Sequence, residues 1–259
     1  MPELPDLTIY QRNLKRILMD HKVEEVCVFG AKRLNVPAGT LDKAVRDAKL
    51  VDIQREGKEL QFRFSSGHSV SIHLMLKGQF DITADPAEID NKLVSFGFGS
   101  RGHLVVSDPK GWATFTLDAD LSPVPDALSE DFTVHYLREK LKTRPAKTMK
   151  AFLIDQNIVR GIGNAYADEI LWASRISPHS ASNNLPDAAI DQLFDSIKIV
   201  LGSAIDSISM AAPDAINGEH RDFLNVHNPN RSHSPTGFCI RQEEVSSKNT
   251  YFTDEQIIY

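Results

Sequence analysis

The sequence predicts an α+β protein built in blocks: an N-terminal helix, a β-sandwich or flattened barrel, a helical region and a closing β-hairpin. Three observations predict it. Residues 6–20 carry apolar side chains at helical spacing (Leu7, Tyr10, Leu14, Ile17, Leu18). From about 23 to 115 the apolar pattern switches to period two, cut at regular intervals by Gly, Pro, Asn and Asp. After residue 130 it returns to helical spacing until a short alternating tail. At 259 residues with 41% hydrophobic content, the chain can bury two cores.

In order, the strands are expected at 23–29, 60–64, 69–74, 79–82, 93–98 and 103–107. Several short strands at even spacing favour stacked antiparallel sheets or a closed sheet. Residues 118–129, rich in Asp, Pro and Ser, read as a linker. Helices are expected at 130–142, 147–157, 164–174 and 186–208, where Ile190, Leu193, Phe194 and Ile197 keep register. The polar, Asn/Pro/His-rich stretch 211–235 reads as a mobile loop. The tail, 236–259, reads as a hairpin with strands at 237–243 and 250–252 and a turn at Ser246-Ser247. These boundaries give domains at 1–117 and 130–235, a linker at 118–129 and a finger-like unit at 236–259.

No apolar run approaches the ~18 residues of a membrane span, and the start lacks a secretory pattern, so an intracellular setting is expected. Cys27 and Cys239 stand alone and are expected as two buried thiols rather than a disulfide or metal site. The net charge of −6 (29 basic, 35 acidic residues) counts mildly against a nucleic-acid partner. Distribution tempers this: Arg138, Lys140, Lys142, Arg144, Lys147 and Lys150 crowd one stretch with the single acid Glu139. The strip is expected to face phosphate.

Two motifs carry the chemistry. The chain opens Met1-Pro2-Glu3-Leu4-Pro5. Removal of Met1 would make Pro2 a terminal secondary amine. Terminal amines have pKa values near ~8 against ~10.4 for lysine, so more of the group is neutral and nucleophilic at working pH. Glu3 beside it is placed for proton transfer. The second motif runs from Gln156 through Gly161-Ile162-Gly163-Asn164 to Leu171. It reads as helix, glycine turn, helix. The glycines allow backbone amides close to a phosphate, and Asn164 can cap the second helix and donate its amide to a phosphate oxygen. Tyr166, Ile170 and Ala173 form its inward stripe.

Together these motifs resemble the formamidopyrimidine-DNA glycosylase / endonuclease VIII family over nearly the whole chain. The resemblance implies an N-terminal β-sandwich, a helix-two-turn-helix domain and a finger hairpin. It implies an enzyme that removes oxidised purines (formamidopyrimidines, 8-oxoguanine) from duplex DNA and then cleaves the abasic strand by β,δ-elimination. The alternatives are the same chemistry on oxidised pyrimidines or hydantoins, or a damaged-DNA binder without turnover. Catalytic roles then fall to Pro2 (nucleophile), Glu3 (proton carrier) and Lys58, which matches the family's hairpin lysine in Gly57-Lys58-Glu59. DNA contacts fall to Leu76, Lys110, Trp112, Lys150, Asn164 and Lys248. Leu76, in His73-Leu74-Met75-Leu76-Lys77-Gly78, takes the place of the apolar wedge that fills the gap left by a flipped base. Lys110 and Trp112 replace an expected arginine and phenylalanine as the other fillers.

The tail departs from the family, which commonly ends in a zinc finger. His233, Thr236, Thr253 and Glu255 stand at the four ligand places, a set unlike a tetrahedral sulfur/nitrogen site. A zincless finger is expected, with no metal and no cofactor. Lys248 stands where the family has an arginine holding phosphate, keeping the charge without the bidentate fork. The expected partner is damaged double-stranded DNA, bound by a monomer in the cytoplasm at the nucleoid.

Overall fold

The computed structural model describes residues 1–259. Contacts divide it into two compact units: Met1–Leu121 with Ile208–Glu219, and Ser122–Ser207 with His220–Tyr259.

The first unit opens with α1 (Leu4–Leu18), capped at Glu3, whose amide donates to Asp6 Oδ2 at 2.8 Å. Leu7, Tyr10, Leu14 and Leu18 are buried along one face. There follow β1 (Glu25–Val28), α2 (Ala38–Val45), β2 (Leu50–Glu56), β3 (Glu59–Phe64), β4 (Ser69–His73), β5 (Gln79–Thr83), β6 (Lys92–Gly97), β7 (His103–Ser107) and β8 (Thr114–Leu117). Two four-stranded sheets form, in the orders β1-β6-β7-β5 and β2-β3-β4-β8, with every pairing antiparallel. One buried cluster draws Phe62 and Ile72 from one sheet, Phe80 and Val106 from the other, and Leu14 from α1. The Phe62 and Phe80 rings lie 6.0 Å apart. The sandwich reading of the period-two region therefore holds.

Three elements of this unit lay outside the sequence expectations: α2, β2 and β8. In α2 a Pro N-cap and Gly39 weaken an eight-residue helix signal. β2 and β8 are the edge strands of their sheet. β2 is largely polar and shifts register between Leu50 and Asp52, which breaks its alternation.

The second unit contains α3 (Val134–Thr143), α4 (Met149–Ile154), α5 (Asn164–Ala173), most of α6 (Asp187–Ala211), β9 (Arg241–Val245) and β10 (Lys248–Phe252). Thr133 and Thr148 cap α3 and α4 by accepting from Tyr136 N and Ala151 N. β9 and β10 pair with Val245 opposite Lys248, so Ser246 and Ser247 form a two-residue turn. Both have positive φ (52° and 59°), the backbone such a tight turn requires.

The stretch expected to be mobile is irregular but anchored within each unit. In the first unit Asn13 Nδ2 donates to the carbonyls of Pro213 (2.9 Å) and Ala215 (2.8 Å). In the second, Glu169 accepts from the amides of Asn225, Val226 and His227 at 2.7–2.9 Å. These bonds explain why 208–219 belongs with the first unit, a division the expected boundaries did not contain. No helix is long and apolar enough to cross a membrane.

Candidate functional site

Pro2 and Glu3 are both buried at the head of α1, Glu3 only 3% exposed. Pro2 opens onto a cavity of about 190 Å³, shared with Leu76, Lys77, Gln79, Gly218 and Glu219. With Met1 in place the Pro2 nitrogen is an amide, and the Met1 ammonium is ion-paired with Glu219.

Leu76 sits in the β4–β5 connection and is 48% exposed, so it is not a core residue. The loop is fixed from both sides. Met75 takes positive φ (54°), and its amide donates to His73 Nδ1 at 2.8 Å. Gly78 N donates to Leu74 O at 2.9 Å, and a Cβ on Gly78 would meet that oxygen at 2.3 Å. Burial, then the nearby charge of Lys58, pushes the His73 pKa down to about 4. His73 is therefore neutral at physiological pH, as an acceptor at Nδ1 must be. Lys58 is buried in the two-residue turn between β2 and β3, with Gly57 at φ 63° beside it.

Lys110 and Trp112 stand exposed on the β7–β8 connection. The buried Asp108 carboxylate organises that loop, accepting from the amides of Lys110 (2.9 Å), Trp112 (2.7 Å) and Ala113 (2.9 Å). Gln79 pairs with Ser107, so the Leu76 loop and the Lys110–Trp112 loop leave the same end of the β5–β7 pair. The first unit thus gathers an exposed apolar side chain, a ring and a cation on one rim.

In the second unit, Asn164 opens α5 after the N-cap Gly163. Gly161 uses positive φ (101°), whereas Gly163 is extended. Asn164 Nδ2 donates to Asn249 O at 2.8 Å, which sets the helix start beside the exposed Lys248. Its amide is thus directed at the hairpin, and its Oδ1 is buried without a hydrogen bond.

Lys150 requires a correction. Expected to face phosphate, it is fully buried. Its ammonium donates to Asp168 Oδ1 at 2.6 Å and to Asn164 O at 2.7 Å. Asp168 Oδ2 meets His227 Nδ1 at 2.6 Å and accepts from Tyr251 N at 3.0 Å. A lysine this deep must be paired, and Asp168, four residues after Asn164, supplies the partner. Four more members of the basic strip are compensated: Arg138 pairs with Asp187 and Asp191, Lys140 with Glu139, Lys142 with Asp187 and Lys147 with Asp155, whereas Arg144 is exposed and reaches only the Asn157 carbonyl at 3.5 Å. Asp108, Asp168 and Glu169 all lie in or beside the motifs read from sequence. Asp108 is signalled there only as a carboxylate beside a loop, and Asp168 and Glu169 only as acids within the helix that follows the glycine turn.

Residues 1–115 match the formamidopyrimidine-DNA glycosylase N-terminal domain, and residues 124–212 match the H2TH domain of the same glycosylase. The formamidopyrimidine-DNA glycosylase of Rickettsia felis is 30% identical over 235 residues, 85% of this chain and 83% of that one. The chain belongs to the formamidopyrimidine-DNA glycosylase family. The Mycoplasma genitalium formamidopyrimidine-DNA glycosylase is 29% identical, spanning 97% of this chain and 94% of its own. Among solved structures, the Lactococcus lactis family member bound to abasic-site DNA superimposes with a TM-score of 0.88 at 25% identity, covering 98% of this chain and 99% of that one.

The zinc finger that the formamidopyrimidine-DNA glycosylase family implies does not fit this tail. Glu255 Oε2 already accepts from Thr236 Oγ1 (2.7 Å), Thr253 Oγ1 (3.0 Å) and Trp172 Nε1 (3.1 Å), and Oε1 pairs with Arg175 at 2.6 Å. Burial works to raise the Glu255 pKa, but those hydrogen bonds and the Arg175 charge outweigh it and hold the group below the usual carboxylate value. His233 Nε2 instead faces Cys239 Sγ at 3.3 Å. No group of three or more His, Cys, Asp or Glu side chains is arranged to hold a metal ion. Both cysteines are free thiols, but neither is fully buried as expected: Cys27 is half-buried and Cys239 exposed.

Proposed function

We propose that this protein is a bifunctional DNA glycosylase and abasic-site lyase. It removes oxidised purines from duplex DNA and cuts the resulting abasic strand. One observation carries the reading: Pro2, with Glu3 behind it at a helix start, opens onto a cavity edged by the exposed Leu76. Membership of the family and the likeness to a DNA-bound relative support it.

After Met1 is removed, the Pro2 lone pair attacks sugar C1′ as the base departs, and a cationic iminium forms. Glu3 carries protons to and from the sugar. The iminium draws electrons from the sugar, and the phosphates leave in successive eliminations. Leu76, Lys110 and Trp112 fill the space of the flipped nucleotide. Lys58, Asn164 and Lys248 are assigned to phosphate; Asn164 has a second amide hydrogen beyond the one directed at Asn249. We assign the working domains as the sandwich (1–117), the helical DNA-binding region (130–235) and a zincless finger (236–259), its hairpin held by Glu255 in place of metal. Damaged DNA as substrate places the protein at the nucleoid.

The test is borohydride trapping on duplexes carrying 8-oxoguanine or an abasic site, with intact-mass confirmation that Met1 is gone. The wild type forms a covalent adduct; Pro2→Gly and Glu3→Gln lose strand cutting. Unchanged cutting by both variants would refute the assignment.

A further inference from the structure

The mechanism above leaves the carboxylate that lines the Pro2 cavity without a role. Glu219 lines that cavity and is ion-paired with the Met1 ammonium. Its position is built rather than incidental. The buried Tyr10 hydroxyl donates to Gly218 O, and Asn217 Nδ2 donates to Phe80 O (2.9 Å) and Asp81 Oδ1 (3.1 Å). With the Asn13 bonds to Pro213 and Ala215, α1 and β5 clamp the segment that presents Glu219.

Loss of Met1 moves the terminal cation by one residue, about 3.8 Å along the chain. It arrives at Pro2, on the wall of the same cavity. We propose that Glu219 is the charge partner of the N-terminal proline, pairing its ammonium at rest and its iminium during the lyase reaction.

The chemistry gives the carboxylate a purpose. On an abasic aldehyde the proline lone pair forms the N–C1′ bond. The aldehyde oxygen leaves as water, taking the amine's proton and one supplied by Glu3. The resulting iminium nitrogen comes from a secondary amine and has no proton left to lose. Its positive charge is relieved only when C2′ gives up a proton and the neutral enamine forms, and it returns as the phosphate leaves; an adjacent anion lowers the energy of each iminium stage. The same anion holds the resting amine's proton more firmly. The other ionisable groups on the surrounding elements include Glu3, Asp6 and Tyr10 of α1, Lys77 of the cavity, Asp81 of β5, and Lys58 with His73 at the neighbouring turns, while Arg12 and Arg16 of α1 are turned to Pro213 and Asp214 and Lys15 to Asp52. The lysines act against Glu219 on the amine, so the Glu219 contribution is read by difference.

This proposal rests on the lyase reading above. The experiment compares wild type and Glu219→Gln, both shown by mass to lack Met1, in borohydride trapping on an abasic duplex across pH 5–9. Amine titration by ¹⁵N-proline NMR provides a readout independent of turnover. Removal of a partly exposed pair is expected to move the acid limb and the amine titration down by about half a pH unit. Trapped adduct at pH 7.5 is expected to fall about twofold to threefold, with Glu219→Asp restoring part of the shift. Identical acid limbs and amine titrations in an adduct-forming wild type would overturn the Glu219 role alone. A wild type that forms no adduct at any pH would overturn the lyase reading and this proposal with it.

Discussion

Lys150→Met separates a phosphate contact from a buried support. The ammonium has no exposure and donates at 2.6 Å to an equally buried Asp168. Replacing it with a side chain of similar length keeps the packing and strands the carboxylate. Breaking one side of a buried pair costs about 3–5 kcal/mol. Asp168 keeps His227 Nδ1 and Tyr251 N as partners, which favours the lower end. The carbonyl of Asn164 also loses its lysine donor. The expected melting temperature falls by roughly 10 °C. DNA affinity is then measured by anisotropy at several salt concentrations below the unfolding range. Each phosphate contact contributes about 0.9 to the slope of log affinity against log salt. Lys150→Met should leave that slope unchanged, while Lys248→Ala should reduce it by about 1. A Lys150→Met protein with wild-type stability and a slope reduced by about 1 would refute the buried-pair account.

Three further outcomes are expected. Asp108→Ala removes three amide bonds to one buried carboxylate and should cost about 3 kcal/mol; Trp112 fluorescence anisotropy should fall, and an unchanged value would contradict the loop assignment. His73 is held neutral with a pKa of about 4 against 6.5 for the free group, so the unfolded chain binds the proton first. Stability should be complete above pH 6.5 and decline by up to about 3 kcal/mol as pH falls toward 4, and His73→Gln should flatten that part of the urea-unfolding profile. Chelation of the purified wild type should leave its melting curve in place, while Glu255→Gln should speed hydrogen exchange across 236–256; stoichiometric zinc whose removal unfolds the tail would contradict the Glu255 assignment.

What the sequence revealed, and what it withheld, follows from the range of the interactions. α1 was legible because its apolar spacing is local, and the Ser246-Ser247 turn because a two-residue connection demands special backbone at those positions. The paired opening and glycine-turn motifs pointed to Pro2, Glu3 and Asn164 because each proposed role is written in adjacent residues. β2 escaped because its burial does not alternate, and β8 because its clean alternation of Thr114, Phe115, Thr116 and Leu117 is only four residues long. Lys150 was misread because a lysine's partner is decided by the fold: nothing local joins it to an acid 18 residues onward. Glu219 was invisible for the same reason, 218 residues from the terminus it meets.

The acidic balance of the chain has a physical explanation in the same features. A net charge of −6 seems ill suited to a polyanionic partner. Several of its acids, however, serve as internal hubs, each collecting donors that would otherwise go unsatisfied. Asp108 collects the amides of the β7–β8 connection, Asp168 the lysine and a hairpin amide, Glu169 the amides at 225–227, and Glu255 two hydroxyls, an indole and a guanidinium. A carboxylate suits this work because it accepts several strong bonds from short loops that lack a ladder of their own. Its charge is spent on buried amides and fixed cations rather than on the solvent facing DNA. Exposed Lys77, Lys110, Arg144 and Lys248 are among the cations left to act on the field at the surface. Net charge therefore misjudges this protein, because it counts acids that hold loops in shape together with those that would repel phosphate.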